Sequence, residues 1–444
     1  MTTALHTDRY ELTMVEAALR SGQAGRDCVF EVFARRLPGA RRYGVLAGTG
    51  RMLDAITAFR FGQAELDWLA NARVVDDATL AFLAEYRFAG SVDGYREGEV
   101  YFPQSPVLTV RGTFAEAVLL ETVVLSVLNY DSAVATAAAR MVAAADGHPI
   151  AEMGSRRANE HAAVAAARAA YIAGCDATSN LEAGRQWAIP TMGTAAHSFT
   201  LLHDTEEEAF RAQVAALGPG TTLLVDTYDV REGVETAVRV AGTQLGGVRL
   251  DSGDLPALVR DVRVQLDELG ATGTRITVTS DLDEYTIAAL RGTPVDAFGV
   301  GTALVTGSGS PAAGFVYKLV ARHDSEAGEW TPVAKASLGK VSLGGAKRAE
   351  RLLRNGVAVA ERIIVDDDHD GIPEVATPLN DATPGITARA LTVPLVRDGE
   401  VDAQWLGAEG VRTARVHRAV AVAELPAAAL RLSRGEPALP VIQL

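Results

Sequence analysis

The sequence predicts an α/β fold: an irregular α/β (TIM-like) barrel beside a mixed α/β N-terminal domain that the C-terminal segment rejoins. Three observations predict it. Between Ile150 and Thr302, short apolar runs alternate with helix-length amphipathic stretches, the pattern of a parallel sheet with crossover helices. Polar residues gather where the apolar runs end, at Arg156, Asp226, Asp229, Asp251, Asp281 and Gly301, and in barrels that edge carries the chemistry. The chain has 444 residues, too many for one small domain. The expected division is a mixed domain over 1–130, a barrel over 131–350, and a segment 351–444 packing on the first domain.

In chain order, residues 7–20 read as an amphipathic helix, with Thr7 or Asp8 able to cap it and Gly22 just past its end. CVFEVFARRLP (28–38) alternates like a strand, and 92–110 holds short β segments broken by Gly and Pro. Residues 114–145 are helix-compatible throughout. The alternation then begins: a strand at 150–154 and a helix at 157–173, a strand-like run at 187–192, and TLLVD (222–226) before a helix at 232–245. GVRLD (247–251) precedes a helix at 256–269, RITVTSD (275–281) one at 284–291, and DAFGVGT (296–302) closes the series. Beyond Ala303 the alternation fades into a basic loop, KASLGKVSLGGAKR (335–348), and a Pro-broken C-terminal part.

The 48% hydrophobic and 22% charged composition is that of a globular chain. A net charge of −14 argues against a broad nucleic-acid surface but leaves room for a small phosphate pocket with local positive charge. Cys28 and Cys175 are too few for a disulfide framework or a four-cysteine zinc site. No basic start followed by an apolar run opens the chain, and the most apolar stretch, 115–128, carries Glu116 and Glu121 and is too short to span a bilayer. A cytoplasmic protein without membrane contact is expected.

RLDSGD (249–254) ends an apolar run with a guanidinium, two carboxylates and a hydroxyl, suited to sugar hydroxyls, Mg²⁺ or an anion. The alternative is a polar loop with Asp254 as helix cap. FGVGT (298–302), with Gly299, Gly301 and Thr302, followed by GSGS (307–310), can cradle phosphate through backbone N–H groups or be an ordinary turn. GSRRANE (154–160) puts Arg156 and Arg157 at a helix start, where their charge opposes the dipole unless an anion sits there. Their plain alternative is an ion pair with Glu160. His197 follows the small residues GTAA, which would let a ligand approach; a core or surface histidine is the alternative. No metal partner lies at a convincing spacing, although a metal-dependent barrel hydrolase using His161, His197, His203 and the rim aspartates remains a rival from another class, as does a nucleotide sensor without turnover. DDDHDG (366–371) imitates a calcium loop but has Thr377 where a bidentate Glu is needed. IIVDDD (363–368) imitates a phosphoribosyl diphosphate motif but lacks the small and Thr residues that should follow, and reads as an acidic turn.

As an ordered set, TDRYELTM, FEVFARRLP, GSRRANE, TSNLEAG, GTAAHSF, VDTYD, RLDSGDL, TSDLDEY and FGVGT resemble the bacterial nicotinate phosphoribosyltransferases, from Thr7 to about Arg348. The resemblance implies a type II phosphoribosyltransferase, usually a homodimer with active sites shared between subunits. It implies synthesis of nicotinate mononucleotide and diphosphate from nicotinate and phosphoribosyl diphosphate, with ATP as co-substrate and Mg²⁺ brought by substrate. His197 would be the histidine phosphorylated by ATP. Asp251 would hold ribose hydroxyls or the metal, and Gly299, Gly301 and Thr302 the 5′-phosphate. Arg249 and Arg156 would face nicotinate or the phosphates, and Tyr10 of the partner subunit would stack on the ring. Asp226, Asp229 and Asp281 complete the implied polar rim; Asp176 and Thr178 would also bind substrate, Asp176 being the carboxylate a nicotinamide-specific relative would want. The related nicotinamide enzymes stack the ring on a Phe where this chain has Met153, and two cysteines cannot build the C-terminal zinc knuckle of some relatives.

Overall fold

The computed structural model describes residues 2–324, 327–335, 343–366 and 385–444. The chain forms two compact units: Met1–Thr136 together with Ser310–Leu444, and Ala137–Gly309.

In the first unit a seven-stranded sheet runs in the order Glu329–Pro332, Phe315–Asp324, Asp27–Ala34, Leu108–Thr113, Ser91–Tyr95, Thr392–Arg397, Glu400–Val401. Its neighbours pair antiparallel, and a four-stranded sheet holds Ile386–Ala390, Lys347–Arg354, Val357–Val365 and Val441–Gln443. The expected boundary at 350 therefore falls at 309/310. The reason is the ladder from Cys28↔Arg322 to Ala34↔Phe315, which commits Phe315–Asp324 to the N-terminal sheet. Local patterning carries no record of so distant a pairing. Of the expected basic loop 335–348, residues 336–342 lie outside the described residues and Lys347 and Arg348 open a strand; Ile363, Ile364 and Val365 of the expected acidic turn 363–368 end strand Val357–Val365, and 367–371, with Thr377, lie outside the described residues.

The second unit is the irregular barrel. Six strands pair in parallel in the order Ala177–Thr178, Ile150–Glu152, Ala297–Val300, Arg275–Val278, Gly247–Leu250, Thr222–Leu224. Pairing does not continue from the last strand to the first, and one parallel bridge from Thr191 to Thr178 extends the first edge. The run at 187–192 thus contributes a bridge rather than a strand, because helix Leu181–Trp187 occupies its start. One face of the sheet is apolar, with Val248, Leu250, Ile276, Val278, Phe298 and Val300 all buried, while Arg249, Thr277 and Gly299 alternate onto the other. Three of the helices between its strands start on side-chain caps. Thr205 and Glu208 form a capping box, Asp229 accepts from Glu232 N–H, and Asp283 accepts from Tyr285 and Thr286 N–H.

Residues 114–145 form a helical run of 32 residues, apolar and long enough by composition to cross a membrane, and longer than the 115–128 stretch weighed from sequence. Of its most apolar window, 67% is buried inside the protein, as in the core helix of a globular domain.

Buried charge is concentrated in the first unit. Arg351 and Glu361 are both wholly buried and meet at 2.9 Å, with Arg351 also donating to Val100 O and lying 3.8 Å from Glu99. Tyr95 donates to the same Glu361 carboxylate at 2.9 Å. Arg351→Met would leave two buried carboxylates without this cation, at a cost of about 3–5 kcal/mol. Urea denaturation should show that loss as a lower midpoint.

Candidate active site

The strands of the second unit end on one rim, and a cavity of about 250 Å³ opens there. Arg249, Asp251, Thr279, Asp281, Gly299 and Gly301 line it, joined by Met153, Arg156, Arg157, Ser280 and Thr302. Polar groups from separate segments converge because a parallel sheet brings every strand's C-terminal end to the same edge.

The carboxylates there are held rather than loose. Asp226 follows strand Thr222–Leu224, and its Oδ2 accepts from Asp251 N–H at 2.8 Å and Ser252 O–H at 2.9 Å. Asp251 in turn accepts a hydrogen bond from Thr279 Oγ1 on the next strand's end. Asp226 Oδ1 is buried and has no hydrogen-bond partner. It faces His197 Nε2 at 3.8 Å, with Asp251 Oδ2 at 3.9 Å from the same nitrogen. The other ring nitrogen, Nδ1, lies 3.1 Å from Thr227 Oγ1. His197 opens helix His197–Leu201 and keeps a side-chain exposure of 40%, open enough for a ligand.

The cations stand close by. Arg249 is half-buried and donates to Thr194 Oγ1. Burial pulls its basicity down; Asp251 and Asp226 push it back up, and Arg156 lowers it further. Arg156 and Arg157 are exposed in the turn Ser155–Arg157, and neither has an ion-pair partner among the described residues, so the pair with Glu160 does not form. An acidic chain thus carries a locally cationic pocket.

Close packing explains the glycine at 299. A Cβ there would lie 2.6 Å from Thr279 Cγ2 and 2.8 Å from Met153 Sδ. Ser280, on the cavity wall, holds φ +104°, a strained conformation for a residue with a side chain and one that collects at binding sites. Asp254 occupies the helix N-cap but makes no side-chain cap hydrogen bond, so capping does not account for its carboxylate.

A family model described as the nicotinate phosphoribosyltransferase (NAPRTase) N-terminal domain matches residues 5–129. A nicotinate phosphoribosyltransferase of Mycobacterium tuberculosis is 55% identical, over 98% of this chain and 94% of that protein. The chain belongs to the nicotinate phosphoribosyltransferase family. The Bacillus subtilis nicotinate phosphoribosyltransferase is 38% identical over 79% of this chain and 73% of its own. The crystal structure of human nicotinic acid phosphoribosyltransferase superposes with TM-score 0.80 at 26% identity, covering 99% of this chain and 97% of that one. Nicotinate-nucleotide pyrophosphorylase from Pyrococcus furiosus gives 0.75 at 24% identity over 94% and 95%, a likeness of fold.

Against the family pattern, the rim gathers His197, Asp226, Arg249, Asp251, Asp281, Gly299, Gly301, Thr302 and Arg156. It does not gather Asp176. That carboxylate accepts from Ile150 N–H at 3.0 Å, at the start of a strand, and so sits at the opposite end of the sheet. Thr178 is buried and donates to Glu152 Oε2 at 2.6 Å; it braces the strand ends instead of facing the cavity. Asp229 is spent as a helix cap. Tyr10 belongs to the first unit, in helix Arg9–Arg20, 46% exposed, its phenol pushed up to about 12 by burial and then by Glu121, Glu11 and Asp8. The three histidines of the hydrolase rival are not assembled: His203 Nδ1 bonds Phe199 O at 2.9 Å, and no cluster of three metal-ligating side chains exists among the described residues.

Sequence reasoning passed over Thr194, Thr227, Thr279, Glu152 and Glu206. Thr194, Thr227 and Thr279 lie inside motifs read for their other residues, Glu152 and Glu206 lie in none, and the fold makes each a neighbour of the site. Glu206 is the most perturbed. Burial, then Glu232, Asp226 and Asp229, push its carboxyl up to about 7, and its Oε1 has no hydrogen-bond partner. A folded-state pKa raised in this way gives stability that is fully present below the unfolded carboxylate value and is lost as pH rises through 7. Glu206→Gln should therefore gain thermal stability relative to wild type as pH rises from about 5 to about 8, and a pair of melting curves at each pH checks the sign.

Proposed function

We propose that this chain carries out the reaction of its family: nicotinate and phosphoribosyl diphosphate give nicotinate mononucleotide and diphosphate, the first step of NAD salvage from nicotinate. ATP hydrolysis is coupled to it through a transient phosphate on His197. The enzyme works in the cytoplasm as a homodimer with shared sites, Tyr10 of the partner subunit covering the pyridine ring. The observation that carries the reading is His197 between a threonine hydroxyl and two carboxylates, one of them on the wall of a cationic pocket.

The geometry supports each role. A proton on His197 Nε2 is attracted by Asp226 and Asp251, which leaves the lone pair on Nδ1. Nδ1 attacks the γ-phosphorus of ATP, the P–N bond forms, and the bond to ADP oxygen breaks. Arg249, with Arg156, pairs the nicotinate carboxylate in a fork; the neutral amide offers no charge to it. Gly299, Gly301 and Thr302 line the place of the 5′-phosphate, and Asp251 and Asp281 that of the ribose hydroxyls. As the ring nitrogen reaches ribose C1 and diphosphate departs, the guanidiniums stabilise the leaving charge. Mg²⁺, when bound, neutralises diphosphate as a Lewis acid. The buried, partnerless Asp226 Oδ1 beside Asp251 suits a hard cation, most of whose ligands would be substrate oxygens. Met153 on the cavity wall would meet the ring with sulfur where relatives use an aromatic. The far-side position of Asp176 favours nicotinate over nicotinamide.

The purified protein, incubated with Mg²⁺ and phosphoribosyl diphosphate plus either nicotinate or nicotinamide, should form mononucleotide from nicotinate, with ADP released when ATP is present. His197→Ala should lose both the ATP stimulation and the acid-labile phosphoenzyme; a substitution that left ATP coupling intact would remove His197 from this role. Arg249→Lys should raise KM for nicotinate by about tenfold or more, since a point charge replaces a fork.

A further inference from the structure

The first unit holds a second pocket, of about 330 Å³, between helix Arg9–Arg20 and the large sheet. Met14, Ala17 and Ala18 form its helical wall, and Cys28, Phe114 and Leu319 its floor. The size is at the lower end for small-molecule sites, roughly 300–1,000 Å³. Apolar surface predominates in the lining, which also takes in Ser21, Gln23, Arg26 and Arg322.

Arg322 is there because the sheet is irregular. Strand Asp27–Ala34 pairs Cys28 with Arg322 and Val29 with Ala321, but Phe30 with Leu319, so Val320 is an extra residue in a β-bulge. In an unbroken strand, residues 319 and 322 would face opposite sides. The bulge turns Leu319 and Arg322 to the same side, with Cys28 and Phe30, while Val320 and Ala321 both go to the small core cluster on the other face. A guanidinium is thus aimed into an apolar pocket. It is half-buried and has no hydrogen-bond or ion-pair partner among the described residues. Arg26 is already committed, donating to His323 O at 2.6 Å and Gln23 Oε1 at 3.2 Å. A half-buried cation lacking a counter-ion is unfavourable, and a carboxylate would satisfy it with paired charge-assisted bonds.

We propose that this pocket binds a medium-chain alkyl carboxylate, its head on Arg322 and its chain between the helix and the sheet. The pocket's walls come from the first unit, and octanoate binding is read separately from mononucleotide synthesis, so the two readings can fail separately. Isothermal titration of the full chain with octanoate, and with octanamide as the neutral counterpart, tests it. The expected result is one saturable octanoate site per chain, weakened about tenfold or more by Arg322→Gln and abolished by Ala17→Trp, which fills the cavity from an exposed helix position. Unchanged melting temperatures would show both variants folded. No saturable binding, octanamide binding as tightly as octanoate, or octanoate binding unaltered in both folded variants would overturn the proposal.

Discussion

One carboxylate oxygen organises the barrel rim. Asp226 Oδ2 accepts from Asp251 N–H and Ser252 O–H, tying the ends of two adjacent parallel strands together beyond their last ladder bonds. With that oxygen occupied, the other is directed at His197, and Asp251 is left to meet Thr279 on one side and the histidine on the other. Two carboxylates so close would repel in isolation. Here the backbone and hydroxyl donors that hold them are part of the fold, so the arrangement stands before any ligand arrives.

The same economy governs charge. A protein with net charge −14 draws anionic substrates by position rather than total charge: Arg156, Arg157 and Arg249 face one small cavity. Loops after parallel strands can be shaped individually, so a few residues set the local field whatever the net charge of the chain. Cramped backbone accompanies this, at Gly299 where no Cβ fits and at Ser280 with its positive φ.

The first unit uses polar groups differently. Its buried ions, Arg351 with Glu361 and Lys347 with Glu31, are paired and closed from solvent; the first pair lies across a ladder of the four-stranded sheet, and the second joins that sheet to the seven-stranded one. At Arg322, which has no ion-pair partner among the described residues, a bulge has turned a charge to the same side as Leu319 and Cys28. In both units the informative side chains are the polar ones that the local pattern would have placed elsewhere.

The alternation of apolar runs and amphipathic helices from residue 150 to 302 was enough to read a parallel α/β barrel, because strand and helix periods are local properties. The strand-terminal positions of Arg249, Asp251, Gly299 and Gly301 were legible for the same reason. What the sequence by itself determined was therefore the barrel class and which residues end its strands. Tertiary structure alone decided three further matters. It decided the return of Phe315–Asp324 to the N-terminal sheet, since a ladder between residues some three hundred apart leaves no local trace. It put Asp176 at the end of the sheet away from the rim, since the residue precedes strand Ala177–Thr178 and its carboxylate braces Ile150 N–H. And it made Thr227, Thr279 and Glu206 neighbours of the histidine's surroundings, since strand order, which hydrogen bonding sets and spacing does not encode, chooses which strand ends stand side by side.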